Sequence, residues 1–227
     1  MPLPDHFHPP LHGPRRWEGF HHAWATVIAQ HLNQETLPAN YFAEPEISLG
    51  PEHAGPGTAT AVWSPPRPKI AVKVELAHLD SYEIRVYQDL GGAELRAAIE
   101  LVSPANKDRA GSRRTFAAKC AGYLKHGIAV IIVDIVTART ANLHQELFDT
   151  LGVKSRRAAW RAATGLYAVA YRAVTVRKAP RVEAWPEPLA LGEELPVLPL
   201  WLTLDLSVPV RLEESYLATC RSLRIPP

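Results

Sequence analysis

The sequence predicts an α/β domain in which helices flank a mixed β-sheet. Two apolar runs, residues 94–102 and 128–136, have the length and composition of buried strands, and the helix-like segment 112–126 lies between them. A strand–helix–strand unit within one sheet is right-handed and parallel, so we expect the two runs to lie side by side or one strand apart. Residues 82–88 precede an Asp-Leu-Gly-Gly turn and should pair with 94–102 as an antiparallel hairpin. The sheet is therefore predicted to be mixed.

The N-terminal part of the domain is predicted to begin with a helix. Large apolar residues recur at helical spacing between residues 17 and 37. Three short runs with strand-like composition follow at residues 41–49, 58–63 and 70–76, the last alternating between apolar and other residues. We expect these runs to add strands to the sheet.

The C-terminal part continues the same alternation of helix and strand. Residues 143–151 read as a short helix, and residues 165–175 and 181–185 as strands. Residues 186–209 are rich in Pro and Leu and should form an extended strap over the core. A terminal helix is expected at residues 210–223.

Proline content sets the predicted domain boundaries. The chain has 21 prolines in 227 residues, clustered near both ends and around residue 66. We expect a Pro/His-rich lead-in at residues 1–16, a single α/β domain at 17–185, and a strap with a terminal helix packed on the same domain at 186–227. The lead-in is expected to be flexible, and its histidines to bind metal ions only adventitiously, because no acid or cysteine completes a set.

Composition excludes several classes of protein. Hydrophobic residues make up 47% of the chain, and the net charge of +2 is too small to require nucleic acid or a membrane surface. Two cysteines, Cys120 and Cys220, cannot form a disulfide framework. We expect no secretory leader, because the first residues form neither a basic nor an apolar region, and no apolar run approaches the ~18 residues of a membrane span. We expect a cytoplasmic protein without a membrane partner, and composition does not decide its oligomeric state.

Acidic residues inside the predicted strands are the first sign of a functional site. Glu100 lies in the first central strand and Asp134 in the second, and an unpaired buried charge is costly. If the hairpin turns between Gly91 and Gly92, Glu83 lies opposite Glu100, about 5 Å away. Two like charges at that distance require a divalent cation, a lysine or a shared proton.

Lys119 can supply the positive charge at this site. It lies beside the apolar face of the predicted helix, one turn before Tyr123, so its ammonium can reach the sheet. Carboxylates that hold Mg²⁺ or Mn²⁺, with a lysine that positions water, suit metal-dependent phosphodiester hydrolysis. Spacing alone also allows a purely structural interpretation, in which Glu83, Arg85 and Glu100 form an ion-pair ladder with Lys119 as counter-ion.

The segment Ile99-Glu-Leu-Val-Ser-Pro-Ala-Asn-Lys107 resembles the signature of a bacterial family, domain of unknown function 4058. That signature is a hydrophobic residue followed by Glu-Leu-Leu-Ser-Pro-x-Asn-Lys. The family's flanking strands match residues 82–84 and 132–135. Its Trp-x-x-Phe-His matches residues 17–21, and its Pro-rich tail resembles residues 196–199. The resemblance covers most of the chain but implies no established substrate.

The same segment is similar to Uma-type members of the PD-(D/E)xK superfamily. This resemblance implies a restriction-endonuclease-like fold with Glu100 as the metal-binding acid. Asp134, in the neighbouring parallel strand, is a further candidate metal ligand because of its position near the same layer. Lys119 would be the catalytic lysine moved onto the helix, and Glu83 the acid of the preceding strand. The similar positions, with the supporting polar residues beside them, are Glu100, Ser103, Pro104, Asn106, Lys107, Lys119, Tyr123 and Gly127. A nucleic-acid substrate would follow.

Departures from the superfamily pattern motivate an alternative function. Val102 occupies the position of the usual motif lysine, and no Pro-Asp pair opens a strand before the hairpin. A catalytically inactive binding or scaffold domain of the same fold, using its Pro-rich ends for a protein partner, accounts for these departures.

Overall fold

The computed structural model of the chain describes residues 3–11, 17–45, 64, 66–73, 84–155 and 158–225. The α-helices are α1 (Trp17–His31), α2 (Pro104–Asp108), α3 (Ala110–Lys125), α4 (Leu143–Thr150) and α5 (Leu212–Ser222), and a π-helical turn (Leu32–Thr36) extends α1. The strands are β1 (Tyr41–Glu44), β2 (Ile70–Lys73), β3 (Ile84–Asp89), β4 (Ala93–Leu101), β5 (Ala129–Asp134), β6 (Leu166–Val176), β7 (Ala179–Leu189), β8 (Val197–Trp201) and β9 (Ser207–Arg211). Within these ranges no helix is both long and apolar enough to cross a membrane.

Seven strands form one mixed sheet in the order β1-β3-β4-β5-β6-β7-β2. Strands β4 and β5 are parallel, and every other neighbouring pair described in this sheet is antiparallel. The predicted parallel pair is therefore confirmed, as is the hairpin, in which Ile84 pairs with Ile99. A register shift between Val86 and Tyr87 bends the hairpin near its turn.

The connection between β4 and β5 follows from local sequence. Pro104 cannot continue a central ladder and instead occupies the first turn of α2. After α3, Gly127 adopts φ = 74°, a left-handed conformation that glycine reaches without a Cβ clash, so the helix ends there as predicted. The chain then enters β5, where all six residues are buried. The connection returns the chain to the edge of the sheet at which β4 begins, so β5 runs parallel to β4.

Helices and a hairpin cover the two faces of the sheet. One face carries Glu100 and Tyr171 and lies under α3 and α4, because Lys119 and His144 contact these two residues. The opposite face carries Trp185, which contacts Trp201 of β8. The small antiparallel sheet β8–β9 lies over that face, and α5 and α1 pack beside it. Strands β4 and β5 are thus buried from both sides.

The observed elements correspond to most of the predicted ones. The first helix reaches residue 36 through the π-helical turn, and strands are present at 41–44 and 70–73, while the predicted strand at 58–63 lies outside the described residues. β7 is longer than predicted, although it contains Pro186 and Pro188. Both prolines lie beyond the part of β7 that pairs with β2, where a missing N–H is tolerated.

Two predictions about the chain ends require correction. The Pro/Leu-rich segment is extended over the core, but much of it is paired as the β8–β9 hairpin rather than forming a simple strap. The lead-in is packed rather than flexible over residues 3–11, since Leu3, Phe7 and Leu11 are buried in the core. Its His6 is also buried and hydrogen-bonds Tyr216 of α5. Apolar residues spaced between the prolines make this packing possible.

Candidate functional site

Glu100 and Lys119 form an ion pair between the sheet and α3. The Lys119 Nζ atom lies 2.7 Å from Oε1 of Glu100 and donates a hydrogen bond to Oε2 at 2.9 Å. The Glu100 side chain is 3% exposed and that of Lys119 is 15% exposed. The carboxylate is therefore buried, and Lys119 is the more exposed partner of the pair. This is the acid–lysine contact that the sequence predicted.

Strand and helix periodicity bring further polar side chains to this pair. Arg85 pairs across the hairpin with Ala98, two residues before Glu100, so both charged side chains point towards α3. Tyr123 lies one helical turn after Lys119 and is buried in the same layer. Burial raises the pKa of the Tyr123 hydroxyl above its usual range. The nearby negative charge of Glu100 adds to the shift, and a hydrogen bond with Arg85 opposes it.

Asp134 belongs to a second ion pair and is not joined to the first. Lys107 places its Nζ 2.9 Å from Oδ2 of Asp134 and donates hydrogen bonds to Oδ1 and to the Val136 carbonyl oxygen, each at 3.1 Å. The Val136 N–H also donates to Oδ1. Both charged side chains are almost completely buried. Burial raises the pKa of Asp134 to about 6, and the Lys107 ammonium limits the rise.

The remaining supporting residues build the helix that carries Lys107. The Asn106 side-chain oxygen accepts hydrogen bonds from the Ser103 N–H at 2.8 Å and from the Ser103 hydroxyl at 3.0 Å. These contacts fix the start of α2 directly after β4. The Ser-Pro-x-Asn-Lys segment therefore shapes a turn that delivers a lysine to Asp134, which is a structural role for Ser103, Asn106 and Lys107.

The described residues fit a divalent cation only in part. Glu100 supplies one buried carboxylate, whose oxygens are the kind of ligand that Mg²⁺ prefers. Mg²⁺ is commonly held by one or two carboxylates together with substrate phosphates. Each of the two acids has a lysine beside it, but Asp134 fits less well, because its Lys107 partner is almost completely buried whereas the Lys119 side chain is 15% exposed. Glu83, the other predicted ligand, lies outside the described residues. Over the described ranges, neither Glu100 nor Asp134 belongs to a group of three metal-ligating side chains.

Two buried polar contacts under α3 and α4 escaped the sequence reasoning. The Nδ1 atom of His144 lies 2.7 Å from the Tyr171 hydroxyl, and its Nε2 atom lies 3.1 Å from the Ala158 carbonyl oxygen. Burial lowers the pKa of His144 to about 4. Nothing in the local sequence marks this histidine, since its partners are 14 and 27 residues away.

The Lys107–Asp134 pair follows from the order of elements in the sequence. Parallel strands end at the same edge of a sheet, and Lys107 follows the end of β4 just as Asp134 closes β5. The alternation of side chains along a strand likewise predicts that Arg85 lies on the same face as Glu100, under α3. In contrast, the pairing of a helix residue with a particular strand residue depends on how α3 is seated on the sheet.

Comparisons of the chain with protein-family models, with curated proteins and with solved structures gave no match. The function is therefore argued from the geometry of the site.

Proposed function

We propose that this chain is a metal-dependent phosphodiesterase that acts on nucleic acid, built on a restriction-endonuclease-like variant of the mixed α/β fold. The observation that carries the proposal is the buried contact between Glu100 of a central strand and Lys119 of the following helix, 2.7 Å apart. A carboxylate that can hold a metal ion and a lysine that can position water or phosphate are two of the groups that such chemistry uses.

The order of elements supports the fold part of the proposal. A helix (α1) precedes an antiparallel hairpin (β3–β4), and a second helix (α3) leads to a strand (β5) parallel to β4. The acid lies on the last hairpin strand and the lysine on the helix that follows. This is the arrangement that the resemblance to PD-(D/E)xK proteins implies for Glu100 and Lys119.

The different exposure of Lys119 and Glu100 suggests a different role for each in catalysis. Lys119 is the more exposed partner, so a phosphate that approaches from solvent meets the ammonium first. The ammonium can donate to a phosphate oxygen or orient a water through its three N–H donors. Glu100 would then be released from Lys119 and could accept a proton or a cation.

Glu100 is the described residue that would hold Mg²⁺ or Mn²⁺, with Glu83 as the predicted second ligand. A cation bound there would stabilise negative charge on the phosphate in the transition state. The roles left for the protein are to position the phosphate through Lys119 and to keep Glu100 ionised. Arg85, on the same face as Glu100, adds positive charge to the layer.

The proposal is tested by cleavage of labelled single- and double-stranded DNA and RNA in Mg²⁺ and in Mn²⁺. Wild-type protein should cleave at least one of these substrates. Glu100→Gln and Lys119→Met should each lower the rate by more than about 100-fold, the lower range of a positioned acid–base group. Thermal midpoints measured on the same samples separate a lost site from a lost fold.

A matched control is available on the opposite face of the sheet. Glu183 forms a comparable, mostly buried ion pair with Arg172, with Oε2 2.8 Å from Nε. Glu183→Gln should keep full cleavage activity even if its stability falls. Cleavage by Glu100→Gln that equals cleavage by Glu183→Gln would overturn the proposal.

A second candidate is a binding or scaffold domain without catalytic activity. It is favoured by one specific observation, that a lysine already neutralises each of Glu100 and Asp134 within the fold. This candidate predicts no cleavage under any condition, together with a thermal midpoint that rises with a protein partner. A metal-dependent rise in the midpoint that disappears in Glu100→Gln would contradict it.

A further inference from the structure

Three side chains of types that bind metal ions lie close together in space, and all three are distant from Glu100 in the sequence. His31 is the last residue of α1, Glu35 lies in the π-helical turn, and Glu214 lies in the first turn of α5. One ligand atom from each residue lies within 4.8 Å of the other two. Helix packing of α1 against α5 therefore brings together residues separated by more than 170 positions.

Two of the three side chains line a groove. A concavity lies between the end of α1 and strand β9, and His31 and Glu35 are among its lining residues. The Nδ1 atom of His31 is buried and has no hydrogen-bond partner in the described part of the chain. Buried polar atoms are nearly always paired, so an imidazole nitrogen without a protein partner beside a groove is a candidate ligand atom for a bound ion.

The π-helical turn determines where Glu35 points. Leu37 donates its N–H to the carbonyl oxygen of Leu32 at 2.9 Å, which closes a wide turn instead of an α-helical one. Such turns are rare and often lie at functional sites. Glu35 follows His31 by four residues and lies within this turn. Its carboxylate is on the side that faces α5, close to Glu214.

We propose that His31, Glu35 and Glu214 form a site for a divalent transition-metal ion, such as Zn²⁺. One imidazole and two carboxylates suit such an ion better than Mg²⁺ or Ca²⁺, which prefer oxygen alone. Tetrahedral ligands at the usual bond lengths lie about 3.4 Å apart, so the three atoms need to approach one another by at most roughly 1.4 Å. The side chains of Glu35 and Glu214 are 46% and 56% exposed, which leaves them free to make this movement.

Arg211 competes for the same acids. Its Nη1 lies 3.8 Å from Glu35 and its Nε lies 3.5 Å from Glu214, both longer than a normal charge-assisted hydrogen bond. The guanidinium therefore compensates the two carboxylates only loosely. A bound metal ion displaces it, and the fourth coordination position remains open to water or to an external ligand.

The test is Zn²⁺ binding to the full-length, metal-stripped protein, measured by isothermal titration calorimetry. We expect one equivalent of tight binding. His31→Asn, Glu35→Gln and Glu214→Gln should each weaken binding by more than the roughly 10- to 100-fold typical of losing an outer-shell partner. Arg211→Gln should tighten binding, because it removes the competing positive charge. Thermal midpoints in excess Zn²⁺ should rise in wild type and not in Glu214→Gln.

Two control variants make the result decisive. Glu146→Gln removes an ion-paired helical acid on the other side of the molecule and should leave Zn²⁺ binding unchanged. His8→Asn removes an exposed histidine of the lead-in and should also leave it unchanged. Tight binding that survives in Glu214→Gln but is lost in His8→Asn would overturn the proposal, as would the absence of binding to wild type.

Discussion

Lys107 neutralises Asp134 at the end of the parallel strand pair, with 2.9 Å between Nζ and Oδ2 and side chains that are 1% and 0% exposed. Both charges are removed from water, so each depends on the other. The pair also holds α2 against the end of β5, because Lys107 donates to the Val136 carbonyl oxygen as well. This contact explains why the segment after β4 folds back onto the sheet before α3 begins.

Removing one charge of this pair should be severely destabilising. Asp134→Asn keeps an oxygen acceptor for the Val136 N–H but leaves the buried ammonium without a counter-charge, which typically costs about 3–5 kcal/mol. The free energy of unfolding from urea titrations measures the loss. Adding Lys107→Met to Asp134→Asn should recover most of it, since no uncompensated charge remains. Equal stability of the single and double variants would contradict this account of the pair.

Acid should destabilise the fold through His144. Its pKa is about 4 in the folded state, below its usual value of 6.5, because burial disfavours the imidazolium. The unfolded chain therefore binds a proton first as the pH falls. Stability from this residue is fully present above pH 6.5 and is lost as the pH falls from 6.5 towards 4. At about 1.4 kcal/mol per pKa unit, the loss at pH 5 is on the order of 2 kcal/mol.

The comparison between variants isolates this contribution. Asp134, with a pKa raised to about 6, acts in the opposite direction, since its folded-state advantage is present at low pH and is lost as the pH rises through 6. Its effect cancels when wild type and His144→Gln are compared at pH 7.5 and pH 5. Wild type should lose about 2 kcal/mol more than the variant over this interval. His22→Gln, which removes an exposed histidine, should behave like wild type.

The contacts between Ser103 and Asn106 should behave as one capping unit. Ser103→Ala and Asn106→Ala should each lower the free energy of unfolding by about 0.5–2 kcal/mol, because each removes hydrogen bonds at the start of α2. The double variant should lose clearly less than the sum of the two. Strict additivity in a double-mutant cycle would show that the two residues act independently.

The central part of the fold was predictable because local rules all agree there. An apolar run that ends at Ser103-Pro104, a helix that ends at Gly127 and a second apolar run leave a parallel pair as the consistent solution. The β8–β9 hairpin was harder to predict, because prolines interrupt its alternation. The packing of the lead-in depends on distant partners such as Tyr216, which no local pattern indicates.

Only part of the candidate site could be predicted from the sequence. The reach of Lys119 towards Glu100 follows from helical spacing beside an apolar face, and the contact is present. The partner of Asp134 was missed, because the expected cation was a metal ion and not the lysine of the adjacent turn. His31, Glu35 and Glu214 could not be joined from sequence, since their proximity depends on the packing of α1 against α5.

The position of a bound cation tests the central claim most directly. Crystals are soaked in Mn²⁺, and diffraction is measured at a wavelength where manganese scatters anomalously. The anomalous map then shows each ordered Mn²⁺ ion, at Glu100 and elsewhere. The account predicts an anomalous peak within about 2.5 Å of a Glu100 carboxylate oxygen, with the Lys119 ammonium displaced from it. A fully occupied Glu100–Lys119 ion pair and no peak beside it, in crystals that bind Mn²⁺ elsewhere, would contradict the account.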